Sequence, residues 1–114
     1  MPFINIHIGK QLTAEQKAEL YQMVAEHMPI LPTKDRDNTM VEISAGRDMY
    51  MGGEPRELIF VDMRVFKPSP EAAKREFIAT LAAEFDKRLG IPADRQYYNI
   101  IELDTWGAHG KLLT

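Results

Sequence analysis

The sequence predicts an α+β fold: a tandem β-α-β duplication forming a four-stranded mixed sheet, with two helices on one face and a C-terminal hairpin. Three observations carry this. Apolar residues alternate with the period of a sheet from Phe3 to Ile8, and a second strand-like run follows at Leu58–Phe66. Each run is followed by a helix signal, Thr13 with Gln16 in the first half and Ser69–Pro70 in the second. The landmarks also recur in one order (strand, cap, helix, Pro32 or Pro92, strand), which divides a single domain into pseudo-repeats 1–50 and 56–104.

The elements follow in turn. In the first strand Ile4, Ile6 and Ile8 oppose Phe3, Asn5 and His7. Thr13 and Gln16 form a capping box for a helix over 14–28, with Leu20, Val24 and Met28 inward and Tyr21 and Ala25 beside them. Pro29 and Pro32 end it. A second strand covers 40–44, and Met51-Gly52-Gly53-Glu54-Pro55 is a turn between the units. In the second unit Ser69 is the expected N-cap, with Pro70 at the first helical position, where its missing N–H costs nothing. The helix runs to about Leu89, with Phe77, Ile78, Leu81, Phe85 and Leu89 inward. Glu71 lies at its positive end, Lys87 and Arg88 at its negative end, and Gly90 closes it. The last long strand is 96–103, and 106–111 reads as a short hairpin. Right-handed crossovers make the pairing within each unit parallel. Strands this rich in Ile, Val and Phe leave a second sheet face that also needs cover, which self-association supplies.

Composition removes several function classes. A net charge of -3 with no basic block argues against nucleic acid. No apolar run reaches membrane-span length, and no charged-then-apolar leader is recognisable, so the expected location is cytoplasmic. The absence of cysteine excludes disulfides, thiol catalysis and Cys-ligated zinc. His7, His27 and His109 lack ligand spacing, so no metal site is expected, and each reads by itself as structural or surface. Gly52-Gly53 is a turn rather than a phosphate loop.

The chain opens Met-Pro, so removal of Met1 would leave Pro2 as an N-terminal secondary amine, basic and nucleophilic. Such starts are common and most are chemically idle. Tyr97 and Asn99 are two apart on a strand and project from one face; burying a phenol and an amide there requires hydrogen-bond partners. They fit either a pocket or a bonded pair at a sheet end. Lys34 lies in a polar loop, where a lysine is ordinarily exposed. Trp106, in a glycine-rich hairpin, must pack across an interface or over a pocket.

At these residues the chain resembles the tautomerase superfamily, whose members are single or tandem β-α-β units with a catalytic N-terminal proline. The opening Pro2-Phe3-Ile4-Asn5-Ile6-His7-Ile8 with Leu12-Thr13-Ala14-Glu15-Gln16-Lys17 is similar to 4-oxalocrotonate tautomerase. Pro92-Ala93-Asp94-Arg95-Gln96-Tyr97-Tyr98-Asn99, the tandem length and the Gly52-Gly53 turn resemble the macrophage migration inhibitory factor group. Trp106-Gly107-Ala108-His109-Gly110 resembles the hairpin of the 4-oxalocrotonate type.

The resemblance implies a cofactor-independent keto–enol tautomerase of a small carbonyl acid, such as a phenylpyruvate-like enol, assembled as a homotrimer with sites between subunits. It makes Pro2 the catalytic base and Lys34 the cation for a substrate carboxylate or enolate oxygen. Phe66 and Trp106 become pocket walls, and Tyr97 and Asn99 pocket residues supplied by a neighbouring subunit. Leu12 stands where the 4-oxalocrotonate type has an arginine, and Ala108 near where the cis-3-chloroacrylic acid dehalogenase branch has its water-activating acid. A non-catalytic oligomeric binding module on the same scaffold, and a Pro2-dependent hydratase or decarboxylase of unsaturated acids, are the competing readings.

Overall fold

The computed structural model describes residues 2–113; Met1, whose removal bears on the role of Pro2, lies outside them. β1 (Pro2–Ile8) starts one residue earlier than the alternation required and buries Pro2, Ile4, Ile6 and Ile8 on one side. α1 (Ala14–His27) opens on the expected capping box: Thr13 Oγ1 accepts from the Gln16 N–H at 3.1 Å, and Gln16 Oε1 accepts from the Thr13 N–H at 2.8 Å. Two otherwise orphaned donors are thereby satisfied. The helix stops at His27 because Pro29 belongs to a tighter 3-10 turn, Met28–Ile30. Tyr21, expected beside the inward stripe, is exposed; Met23 takes the buried position with Leu20 and Val24. Met23 lies three residues after Leu20, so the two share a face, while Tyr21 is turned aside by about 100°.

The remaining elements are β2 (Met40–Ser44), β3 (Tyr50–Met51), β4 (Glu54–Pro55), β5 (Ile59–Phe66), α2 (Glu71–Leu89), β6 (Gln96–Leu103), β7 (Trp106–Ala108) and β8 (Lys111–Leu113). The main sheet has the order β2-β1-β5-β6. β1 pairs with β2, and β5 with β6, in parallel, while β1 and β5 run antiparallel at the centre. The predicted turns are both two-residue hairpins. Gly52 and Gly53 join β3 to β4, and His109 and Gly110 join β7 to β8; all four have positive φ. A turn of that form matches the twist of the strands it joins.

The start of α2 differs from the sequence expectation. Pro70 is the N-cap, Glu71 is the first helical residue, and no side chain caps the end. Ser69 is buried and its hydroxyl has no hydrogen-bond partner. Its N–H donates instead to Glu102 Oε2 at 2.7 Å, which holds the residue against β6 and away from the helix terminus. An orphaned buried hydroxyl destabilises the fold it sits in. Ser69→Ala keeps the backbone bond to Glu102 and is expected to raise stability by about 1 kcal/mol, read as a higher urea midpoint at unchanged slope.

The core lies between the helices and one face of the sheet. Ile4, Ile6, Ile8, Val61, Met63 and Val65 meet Leu20, Val24, Phe77, Leu81 and Phe85 there. Gly90 closes α2 in the left-handed conformation, and its N–H donates to the Asp86 carbonyl at 2.8 Å. The opposite face carries Phe3, Phe60, Phe66, Tyr97, Ile101 and Leu103, but also a polar row in register across four strands: Glu42, Asn5, Asp62 and Asn99. It is therefore more polar than the strand composition suggested, because β1 and β5 alternate cleanly. Ser44 Oγ donates to Asn5 Oδ1 at 3.2 Å, whereas one Asp62 oxygen is buried without a partner.

Candidate functional site

Pro2 heads β1 opposite Val65, near the C-terminal end of β5. Three further segments meet at this end of the sheet: the loop before β2, the turn after β5, and the hairpin that follows β6. Between them lies a cavity of about 400 Å³ walled by Pro2, Phe3, Asn38, Met40, Trp106 and His109, with Gly107 and Ala108 completing the wall. Phe3 and Met40 face it together because they are partners in the parallel β1–β2 ladder. Trp106 is the first residue of β7, and its ring lies 6.5 Å from that of Phe66 at 35°. Phe66 thus backs the tryptophan rather than lining the cavity itself. Lys67 Nζ caps the other ring contact, 5.2 Å from the Phe66 centroid.

Lys34 departs furthest from the sequence expectation. It is only 4 % exposed. Its Nζ donates to the Lys67 carbonyl at 3.3 Å and to Thr33 Oγ1 at 3.4 Å. Lys67 is the first residue past β5 and two after Val65, the ladder partner of Pro2; Lys34 itself is not among the residues that line the cavity. The loop that carries Lys34 is stitched to itself: Asp35 accepts from the Asn38 N–H at 2.8 Å, and Thr39 Oγ1 donates to the Asp35 carbonyl at 2.6 Å. Bonds from the Asn38 side chain and then its N–H hold the Asp35 carboxyl below its usual range. Burial pushes the Lys34 ammonium below the ordinary lysine value, and the Glu102 carboxylate opposes that shift. Among the described residues, the three non-glycine residues with positive φ are Thr33, Lys67 and His109, and all three border this region. Backbone strain of this kind persists only where surrounding contacts over-determine it.

Tyr97 and Asn99 are at the other end. Glu102 is the β6 residue opposite Val65, and Tyr97 lies five residues before it, roughly 17 Å away. The chain therefore brings Pro2 and Trp106 to one cavity with Phe66 behind the tryptophan, seats Lys34 on the turn after β5 outside the cavity wall, and leaves Asn99 and Tyr97 farther along β6. Tyr97, 40 % exposed, lines a second, apolar cavity of about 380 Å³ with Met49, Met51 and Phe60, and its hydroxyl lies 3.3 Å from Met51 Sδ. Asn99 Oδ1 accepts from the Met63 N–H at 3.0 Å, which leaves its NH2 as the group free to donate to a ligand.

Sequence reasoning missed Phe3, Asn38, Met40 and His109 as cavity residues. Phe3 and Met40 were detectable from the register that a parallel β-α-β unit imposes. His109 read as an isolated histidine, and only the closing of the hairpin carries it to the cavity. Ala108 is in the wall, and no carboxylate lines the cavity among the described residues.

No protein-family model matches the chain, and none of the curated proteins matches it significantly in sequence. Its fold is nonetheless that of macrophage migration inhibitory factor-like and 4-oxalocrotonate tautomerase-type proteins. Leishmania major MIF2 superposes with a TM-score of 0.90 at 20 % identity, over 99 % of this chain and 97 % of that one. A fused 4-OT, an asymmetric trimer, superposes with a TM-score of 0.81 at 17 % identity over 96 % and 94 %. Pt0534, in the form inactivated by 2-oxo-3-pentynoate, superposes with a TM-score of 0.77 at 15 % identity over 89 % and 85 %.

Proposed function

We propose that this chain is a cofactor-independent keto–enol tautomerase of a small carbonyl acid, with the Pro2 amine as general base once Met1 is removed. The observation that carries the reading is the position of Pro2 in the wall of an apolar cavity, beside Phe3, Met40 and Trp106, with a buried lysine in the adjoining loop. An unperturbed α-amine has a pKa of about 7.7–8.0, and a secondary amine is intrinsically more basic. Burial among these apolar groups disfavours its charged form, and the Lys34 cation disfavours it further. A neutral amine at pH 7 then takes a proton α to a carbonyl, and the same nitrogen returns it at the other carbon or oxygen. Lys34 draws the substrate carboxylate or the developing enolate oxygen, and the aromatic wall excludes water.

Tyr97 and Asn99 enter this scheme from a second copy. Their distance from Pro2 within one chain, the apolar residues on the open sheet face and the trimeric state of the fused 4-OT all support active sites shared between subunits. A homotrimer is accordingly part of the proposal. Hydrolytic chemistry is disfavoured because the wall carries Ala108 and, among the described residues, no acid to activate water.

The reading is tested by enol-to-keto turnover of a phenylpyruvate-type substrate, coupled to labelling with 2-oxo-3-pentynoate. A conjugated ynone is an acceptor for a neutral amine, so turnover with a single adduct mapped to Pro2 by mass is the expected result. Retention of Met1 in protein from the native host, with no turnover, would favour the binding-module reading instead. Product formed only from a 3-substituted acrylate would favour a hydratase or decarboxylase.

Lys34→Met separates function from stability. The lysine's folded-state pKa is depressed, so the unfolded chain binds the extra proton between that value and the ordinary one. Stability therefore rises as pH climbs through that window, while the cation needed for binding is lost. The methionine removes the desolvation cost at similar volume. It is expected to raise the thermal midpoint while raising KM for a carboxylate substrate about 10- to 100-fold, the loss of one charged hydrogen bond.

A further inference from the structure

Lys34 does not hold its own position. The carbonyl it donates to belongs to Lys67, in a left-handed conformation at the turn between β5 and α2. That turn is fixed to the end of β6 at two points: the Lys67 N–H donates to the Leu103 carbonyl at 2.8 Å, and the Ser69 N–H donates to Glu102 Oε2 at 2.7 Å. The second Glu102 oxygen accepts from Lys74 Nζ of α2 at 2.8 Å. One carboxylate thus ties together the strand, the turn and the helix around the seat of Lys34.

We propose that Glu102 is a positioning residue of the site: it clamps the 67–69 turn to β6 so that the Lys67 carbonyl receives the Lys34 ammonium, and it supplies the counter-charge for that buried cation. The inference rests on the reading of Lys34 as the substrate-holding cation. The other charged groups on the neighbouring elements are engaged elsewhere: Lys74 is bound to Glu102, the Lys67 ammonium lies over Phe66, and Asp35 is bonded to Asn38, while the Pro2 amine is neutral in the proposed reaction. Glu102, rather than Asp35, is the acidic group with an electrostatic effect on Lys34, and the effect is mutual: the hydrogen bonds from Lys74 and Ser69 and then the Lys34 charge hold the Glu102 carboxyl below its usual range. Loss of Glu102 leaves Lys34 buried without its counter-charge, so the lysine deprotonates at lower pH.

Two substitutions distinguish charge placement from mere structural support. Glu102→Gln keeps an acceptor for Ser69 but removes the charge. Lys74→Gln breaks the same ion pair but leaves the Glu102 charge unshared. The titration of the Lys34 ε-carbon is followed by NMR in each, with its signal assigned by its loss in Lys34→Arg. Glu102→Gln is expected to lower the midpoint by about one pH unit, and Lys74→Gln to raise it. In turnover, Glu102→Gln is expected to raise KM on the alkaline side with kcat within about twofold of wild type, and Glu102→Asp to restore part of the loss. Midpoints that do not move, or that move in the same direction in both variants, overturn the proposal. The NMR readout needs no substrate. Opposed shifts in a protein without tautomerase turnover uphold the placement of Lys34 by Glu102 and reject the proposed reaction; normal turnover with unmoved midpoints does the reverse.

Discussion

Pro2→Ala is expected to lower kcat for enol-to-keto conversion by about 10²-fold or more, within the range general-base catalysis supplies. Alanine leaves an amine in place, so the effect reports what proline adds. The ring locks rotation about the N–Cα bond and so aims the nitrogen, and a secondary amine is the stronger base. KM is expected to change little, because Lys34 and the walls formed by Phe3, Met40 and Trp106 remain. Steady-state kinetics on both proteins, with Met1 shown to be absent by intact mass, measures this. Equal rates would remove Pro2 from the mechanism and leave the cavity as a binding site.

The largest effect on stability is expected from Phe77→Ala. Phe77 is fully buried on α2 and belongs to the cluster that joins the helices to β1 and β5. Truncating a buried phenylalanine costs roughly 3–5 kcal/mol through lost burial and the cavity left behind. Total stability of a domain is only about 5–15 kcal/mol, so this single change removes a large share of it. Urea unfolding is expected to show a much lower midpoint, and activity per folded molecule should be preserved. Ile78, the next residue and only partly buried, is the internal control; its truncation is expected to cost well under half as much.

What was legible in the sequence was local. Ile4, Ile6 and Ile8 announce a strand through period two, and Thr13 with Gln16 announces a helix start through hydrogen bonds that span three residues. Gly52-Gly53 and Gly90 sit where positive φ is required, so their residue type alone marks the turn and the helix end. What escaped depends on distant parts of the chain. Lys34 reads as a surface lysine because its seat, the Lys67 carbonyl, lies 33 residues away. Ser69 reads as an N-cap because the competing acceptor, Glu102, is also 33 residues away. Tyr21 and Met23 are both compatible with a helical stripe, and only the packing of α1 against α2 and the sheet chooses between them.

The candidate site divides in the same way. Pro2 and Trp106 are recognisable as unusual residues, one by its place in the chain and one by its hairpin, and both line the cavity. Phe3 and Met40 carry no chemical signal and become walls only through the β1–β2 register. Tyr97 and Asn99 share a strand face as predicted, yet stand roughly 17 Å and 10 Å of strand, respectively, from the residue opposite Val65. The assembly assigned to them is the part of the proposal that a single chain leaves to a second copy.

The central claim is that Pro2 presents a free, neutral amine at neutral pH. The most direct measurement is the pH titration of the Pro2 nitrogen by ¹⁵N NMR in protein from the native host. The expected result is a secondary amine whose midpoint lies below the 7.7–8.0 or so of an unperturbed α-amine, and moves up in Lys34→Met. An amide nitrogen, with Met1 still attached, or an amine titrating at or above that range, would contradict it.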